Sequence, residues 1–257
     1  MKRHSVKGLC PLCQQERKLV RSHIIPEFFV RAIRNEDGRA LGFWSSRPLA
    51  RFVQQAFTYR LLCAGCDNFL NTEYETPFLA FWRQAVPGVA WGRNYLLTVP
   101  DYARFKIFLL SVLWRAGVCR DGEFARVDLG GHEPVLRHMI RNCDPLSIHD
   151  FPILGAMLLV PDSLQITHTL ISPYATEWEG SRGYMIGFGS CLWHFLLRRE
   201  PLHQRAHEWI LMEDGRIGFP LLHLNQLGNV NSIFNGYLEV ATAKGWRIPW
   251  LNNDSAA

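Results

Sequence analysis

Two Cys-x-x-Cys pairs, Cys10-Pro11-Leu12-Cys13 and Cys63-Ala64-Gly65-Cys66, stand 49 residues apart in this 257-residue chain, and no other feature restricts the fold as much. A two-residue gap lets both thiolates of a pair reach one ion at about 2.3 Å each, and two such pairs complete a tetrahedral zinc shell. A redox motif needs only one pair, and disulfides belong to oxidising compartments. Pro11 and Gly65 supply the residues a tight knuckle needs. The spacing therefore predicts a structural Zn²⁺ held by Cys10, Cys13, Cys63 and Cys66. Cys119, Cys143 and Cys191 are isolated and read as small apolar residues.

The rest of the chain has the make-up of an ordinary globule, with 48 % apolar and 20 % charged residues. Met1–Cys10 is basic, but no apolar run follows it, so no signal peptide is expected. The longest uncharged apolar stretches, Ile107–Trp114 and Gly183–Leu197, are shorter than the roughly 18 residues of a membrane span. The expectation is a soluble, cytoplasmic protein without a membrane partner.

Charge is uneven. Residues 1–94 carry 14 Lys and Arg against 7 Asp and Glu, whereas residues 95–257 carry 14 against 16. Most of the first group is arginine, whose planar fork suits phosphate oxygens. The first 94 residues thus read as the part that faces a polyanion, nucleic acid above all. A solvated basic surface without a partner has the same charge.

Local patterns give an α+β chain. Strands are expected over Lys18–Ile25 and Phe57–Leu62, and helices over Glu27–Arg34 behind Pro26, Asp67–Glu75 and Thr76–Ala85. Asn35–Arg51 reads as an irregular insert. Asp101 caps an apolar helix reaching Val118, and Glu133–Asn142 forms a shorter one. Alternating runs follow at Ala156–Val160, Leu164–Ser172, Arg182–Phe188, Cys191–Leu197 and Glu208–Met212, before a last helix at Asn231–Lys244. The boundary between residues 1–94 and residues 95–257 is placed in the Pro87–Pro100 stretch. Other groups are weaker. His203 and His207 have helical metal-ligand spacing without a third ligand. Trp44 and Trp91 lie beside arginines, where an aromatic ring can stack on a base.

Between the knuckles lies Ser22-His23-Ile24-Ile25-Pro26, and Asp67-Asn68-Phe69-Leu70-Asn71 follows the second one. The order knuckle, strand, His-Ile-Ile-Pro turn, strand, Leu-Leu-Cys-x-x-Cys, helix resembles the HNH endonuclease family in its zinc-containing ββα-metal form. The resemblance covers about residues 8–76. It departs from the family at three places: Ser22 stands for the usual Asp, Thr58 for the Asn, and Asp67 for the His after the last Cys. It implies a zinc-stabilised ββα module at 1–94, followed by a mixed helix and antiparallel-strand domain at 95–257.

The resemblance makes His23 the general base, Thr58 the residue that orients it, and Asp67 a metal ligand. Asn71 follows Asp67 by four residues and so shares its helix face, with Ser22 as an accessory oxygen. Carboxylate and amide oxygens suit a catalytic Mg²⁺ or Mn²⁺. Arg21 and Arg60 flank the site in sequence and suit phosphates. The function implied is hydrolysis of nucleic-acid phosphodiesters, DNA favoured, in a phage, mobile-element or defence context. A protein partner is assigned to residues 95–257. The competing reading is a zinc module that binds nucleic acid or protein and has lost catalysis.

Overall fold

The computed structural model describes residues 6–32, 34, 40–43, 51–53, 57–85, 94–159, 169–203, 207 and 209–223. In chain order it contains β1 (Lys7–Leu9), β2 (Glu16–His23), α1 (Glu27–Ala32), β3 (Ala40–Phe43), β4 (Arg51–Val53), β5 (Thr58–Cys63) and α2 (Ala64–Leu70). A π-helical turn (Asn71–Glu75), α3 (Thr76–Ala85), β6 (Asn94–Thr98), α4 (Tyr102–Val118) and α5 (Glu133–Asn142) follow. The last strands are β7 (Ile153–Leu159), β8 (Thr169–Trp178), β9 (Ser181–Phe188), β10 (Cys191–Leu196) and β11 (Arg216–His223). The class is mixed α+β. The expected helix at 231–244 and both Trp44 and Trp91 lie outside the described residues.

Two sheets organise these elements. A small one has the order β1-β2-β5, and an eight-stranded one has the order β4-β3-β8-β9-β10-β7-β11-β6. Hairpins β8–β9 and β9–β10 turn on Glu179-Gly180 and Gly189-Ser190, all four with positive φ, the geometry that matches the twist of paired strands. The insert that the sequence leaves irregular, Asn35–Arg51, contributes β3 and the first residue of β4, and β3 lies parallel to β8. The expected antiparallel character of the later strands holds for the hairpins but not for β7 and β11, which are parallel because a long connection separates them. Of the expected strand at Glu208–Met212, residue 208 lies outside the described residues, and the described part forms a single bridge, at Ile210.

Helix α4 is the centre of the core. Asp101 caps it by accepting from the Arg104 N–H at 2.9 Å, and every side chain from Phe105 to Gly117 is buried. A helix apolar all round needs packing on all sides. One continuous core contains α4, residues of β2 to α3, and the inner face of the eight-stranded sheet. Phe29, Phe78, Phe108 and Phe188 lie ring to ring through it. Helix α2 does not stop at Glu75. It widens into a π turn, in which the Thr76 N–H reaches the Asn71 carbonyl, and then continues as α3. The widening falls just before Pro77, which has no N–H and crowds the carbonyl four residues back.

Candidate metal centre and the His23 corner

The first knuckle closes through local backbone bonds. The Cys10 N–H donates to Gln15 O at 2.9 Å and the Gln14 N–H to Cys10 O at 2.8 Å, with Gln14 at φ 57°. The second knuckle joins strand to helix: Cys63 ends β5 and is the N-cap of α2, and Cys66 lies in that helix's first turn. Antiparallel pairing of β2 with β5 sets Leu19 opposite Cys63 and so brings the knuckles together. The four sulfurs lie within 4.8 Å of one another, and Cys13 and Cys63 are 3.9 Å apart. A tetrahedron with about 2.3 Å metal–sulfur bonds has edges of about 3.8 Å. The donor set and its spacing thus fit a metal ion such as zinc.

The thiols are electrostatically unequal. Burial works against the Cys10 thiolate, but the N–H groups of Cys13, Cys63 and Leu12 outweigh it and hold that thiol below its ordinary range. The Cys63 N–H reaches the Cys10 sulfur at 3.4 Å. Burial pushes Cys13 and Cys66 up. Four sulfurs this close cannot all ionise without a cation, and a bound divalent ion replaces their protons. Among the described residues no other group of three or more His, Cys, Asp or Glu comes together this way.

His23 ends β2, directly opposite Thr58 at the start of β5. Its side chain is 32 % exposed, and Nε2 lies 3.6 Å from Glu27 Oε2. Ile24, Ile25 and Pro26 turn the chain from strand to helix, which puts Glu27, the first residue of α1, beside the imidazole. A hydrogen bond from Arg31 at 3.0 Å holds the Glu27 carboxyl below the usual carboxylate range against its partial burial, and the charges of Arg31, His23 and Arg34 reinforce it. Sequence reading singles out His23 and passes over Glu27, because a strand-to-helix corner has no fixed i, i+4 geometry. The Glu27–Arg31 spacing within the helix was the only signal there.

The other expected site residues divide. Arg21 donates from Nε and Nη2 to Thr58 Oγ1 at 3.1 and 2.7 Å, so Arg21, Thr58 and His23 form one cluster. Arg60 faces Arg21 across the strands and donates to Leu19 O at 3.1 Å. Ser22 is fully buried, and its hydroxyl accepts from the Leu62 N–H at 3.3 Å, a bond internal to the β2–β5 pair. Asp67 is half-buried in α2, and the Asn71 N–H donates to the carbonyls of Asn68 and Asp67, which keeps Asn71 one helical turn after Asp67. The His203 N–H bonds to Glu179 Oε2, whereas the His207 ring faces His149 at 5.9 Å. No protein-family model matches this chain, and neither a curated protein nor a solved structure shows a significant match to it.

Proposed function

We propose that the chain is a metal-dependent endonuclease whose site lies on the β2–β5 strand pair and α2. One observation carries the reading: the exposed edge of His23 stands at the end of β2, opposite Thr58 and beside the Glu27 carboxylate, on the strand pair whose β5 leads into the helix bearing Asp67 and capped by Asn71. An imidazole there can take a proton from a water attacking phosphorus. Cys10 and Cys13 in the β1–β2 turn, Cys63 at the end of β5 and Cys66 in α2 would hold a zinc ion that ties these elements together, apart from the substrate. Asp67 and Asn71 supply oxygen donors for Mg²⁺ or Mn²⁺, which when bound offsets charge on the scissile phosphate. Arg21 and Arg60 hold the flanking phosphates. Nicking of supercoiled plasmid by purified protein in Mg²⁺, Mn²⁺ or EDTA, wild type beside His23→Ala, tests this. Metal-dependent nicking lost in the variant is the expected result.

The second reading is a zinc module that binds nucleic acid without cleaving it. It is favoured by the ligand grouping: among the described residues, Asp67 belongs to no cluster of three or more His, Cys, Asp or Glu, whereas the four cysteines form one. Binding without nicking in any metal would make it the better account.

A further inference from the structure

Two histidine rings come together in a part of the chain that the nuclease reading leaves unused. His149 lies in the connection from α5 to β7, and His207 in the connection from β10 to β11. Their ring centroids are 5.9 Å apart, with the planes inclined by 36°. His149 Nδ1 and His207 Nε2 are both closed off from solvent, and among the described residues neither has a hydrogen-bond partner. A buried polar atom left unpaired is costly, and a bound ion is one of the few things that account for it. Both connections are braced. The Phe151 N–H donates to Arg198 O at 2.8 Å, Arg199 Nε donates to Asp150 Oδ1 at 2.6 Å, and Leu154 bridges to Ile210. Lys106, buried on α4, donates from Nζ to Pro145 O at 2.8 Å and to Ser147 O at 2.7 Å. Cys143, Leu146 and Phe151 have φ of 51°, 52° and 53°, a conformation uncommon outside glycine and most of all for a bulky residue. Backbone strain of this kind persists only where the surroundings impose it. His149 is thus held in place by a costly and well-tied loop.

We propose that His149 and His207 together bind one divalent transition-metal ion of the zinc class, at a second site separate from the cysteine cluster. Imidazole nitrogen suits Zn²⁺, Cu²⁺ and Ni²⁺, whereas Mg²⁺ and Ca²⁺ take oxygen. With Zn–N bonds of about 2.1 Å, each ring centroid stands about 3.2 Å from the ion, and two rings in a tetrahedral shell have centroids about 5.2 Å apart. The 5.9 Å found here is wider by about 0.7 Å, which a small rotation about the broad outer torsion of either ring closes. The protein supplies two ligands and no more. Among the described residues only the cysteines form a group of three or more His, Cys, Asp or Glu. Asp150, next in sequence to His149, is already engaged by Arg199 and by the Ser147 N–H at 3.1 Å. His203 precedes His207 by four residues, but it is exposed and its N–H bonds to Glu179 Oε2. Water fills the remaining positions, so the ion exchanges more readily than one enclosed by four thiolates, and it clips the two connections together. The site shares no residue with the nuclease reading and does not depend on it.

The test is equilibrium dialysis of the zinc-loaded full chain against a micromolar excess of Zn²⁺, with Mg²⁺ in larger excess to fill sites made of oxygen donors. Wild type should hold two zinc ions per chain, of which thiol modification releases one. His149→Leu and His207→Leu should each hold only the thiol-released ion, and His203→Gln should hold both. Leucine replaces an imidazole whose buried nitrogen has no partner, so without added metal the unfolding temperature of either leucine variant should not fall. Added Zn²⁺ should raise that temperature in wild type and leave both variants where they were. A readout that needs no substitution is the ¹⁵N spectrum of the imidazoles: added Zn²⁺ should move the signals of two of the ten histidines. A single zinc in wild type, two in either leucine variant, loss of the second ion in His203→Gln, or a shift of any number of histidines other than two would overturn the proposal.

Discussion

Arg115, on the central helix, donates from Nη1 to the His23 carbonyl oxygen at 2.8 Å and also to Glu75 Oε1 at 2.6 Å. Its Nε donates to Ser111 O at 3.2 Å, so the guanidinium is held from both sides. One buried cation thus ties the end of β2, the π turn after α2 and the core helix to each other. The distance between His23 and the helix bearing Asp67 is set by a residue far from both in sequence.

Removing that cation should be costly. Arg115 is 2 % exposed and Glu75 14 %. Arg115→Met leaves a largely buried carboxylate unpaired and the His23 carbonyl without a donor. The expected loss is about 2–4 kcal/mol, somewhat under the value for a fully buried pair because Glu75 keeps some solvent. Arg115→Met/Glu75→Gln should recover at least about 1 kcal/mol of it, since the stranded charge is gone. Urea unfolding of the three proteins checks both statements, and a double variant no better than the single would refute the pairing argument.

His194 makes stability depend on pH. Burial pulls its imidazole down to about 4 from the ordinary 6.5, and Nε2 lies 2.7 Å from Thr176 Oγ1. Between these values the unfolded chain binds the proton and the folded one does not. Stability is therefore whole above the unfolded value and falls as pH drops from about 6.5 toward 4. The loss attributable to this group at pH 5, relative to pH 7.5, is about 2 kcal/mol. His194→Gln keeps a polar partner for Thr176 and does not titrate. The difference in unfolding free energy between wild type and variant should therefore change by that amount between the two pH values. Parallel pH profiles would rule the attribution out.

The knuckles and α4 were legible because their signals are local: a Cys-x-x-Cys spacing, and a capping Asp101 ahead of an apolar run. The joints between elements were not. Strand β3 pairs with β8, more than a hundred residues on, and nothing within Asn35–Arg51 announces it. Strand β11 contains Gly218 and Pro220, which argue against a strand when read locally. In the fold, residues up to Pro220 pair with β6 and residues from Leu221 pair with β7, so the proline sits at the change of partner. At the site the same division holds. His23 and Thr58 were readable from motif spacing, whereas Glu27, Arg115 and Glu75 reach them only through tertiary geometry.

The four-cysteine cluster should contain one zinc per chain. Released metal, measured colorimetrically after thiol modification, gives the stoichiometry. Cys63→Ser removes a ligand at the junction of β5 and α2, so metal should be lost and the β1-β2-β5 sheet should exchange its amide protons rapidly. Helix α4 is also buried against α5 and the eight-stranded sheet and should stay protected. Protein purified without chelator that carries no zinc, or a Cys63→Ser protein with full zinc, would contradict the assignment.

The candidate site predicts an order of effects on plasmid nicking under single-turnover conditions. His23→Ala removes the base and should slow nicking by about 10²–10⁴ while zinc content stays at wild type. Asp67→Ala should cost at least as much, because Asn71 alone offers one neutral oxygen, and raised Mn²⁺ should restore part of the rate. Glu27→Gln retains the shape beside His23 and removes the charge that steadies the imidazole, for a loss of about tenfold. Thr58→Ala should cost less than any of these. Its hydroxyl already accepts from Arg21, so its loss frees that guanidinium and leaves the His23–Glu27 contact in place. The same proteins should bind duplex DNA within about twofold of wild type at fixed salt, since none loses a lysine or arginine. If His23→Ala nicks at the wild-type rate, the base lies elsewhere. If Thr58→Ala is the more damaged of the two, the imidazole is oriented from β5 and not from Glu27.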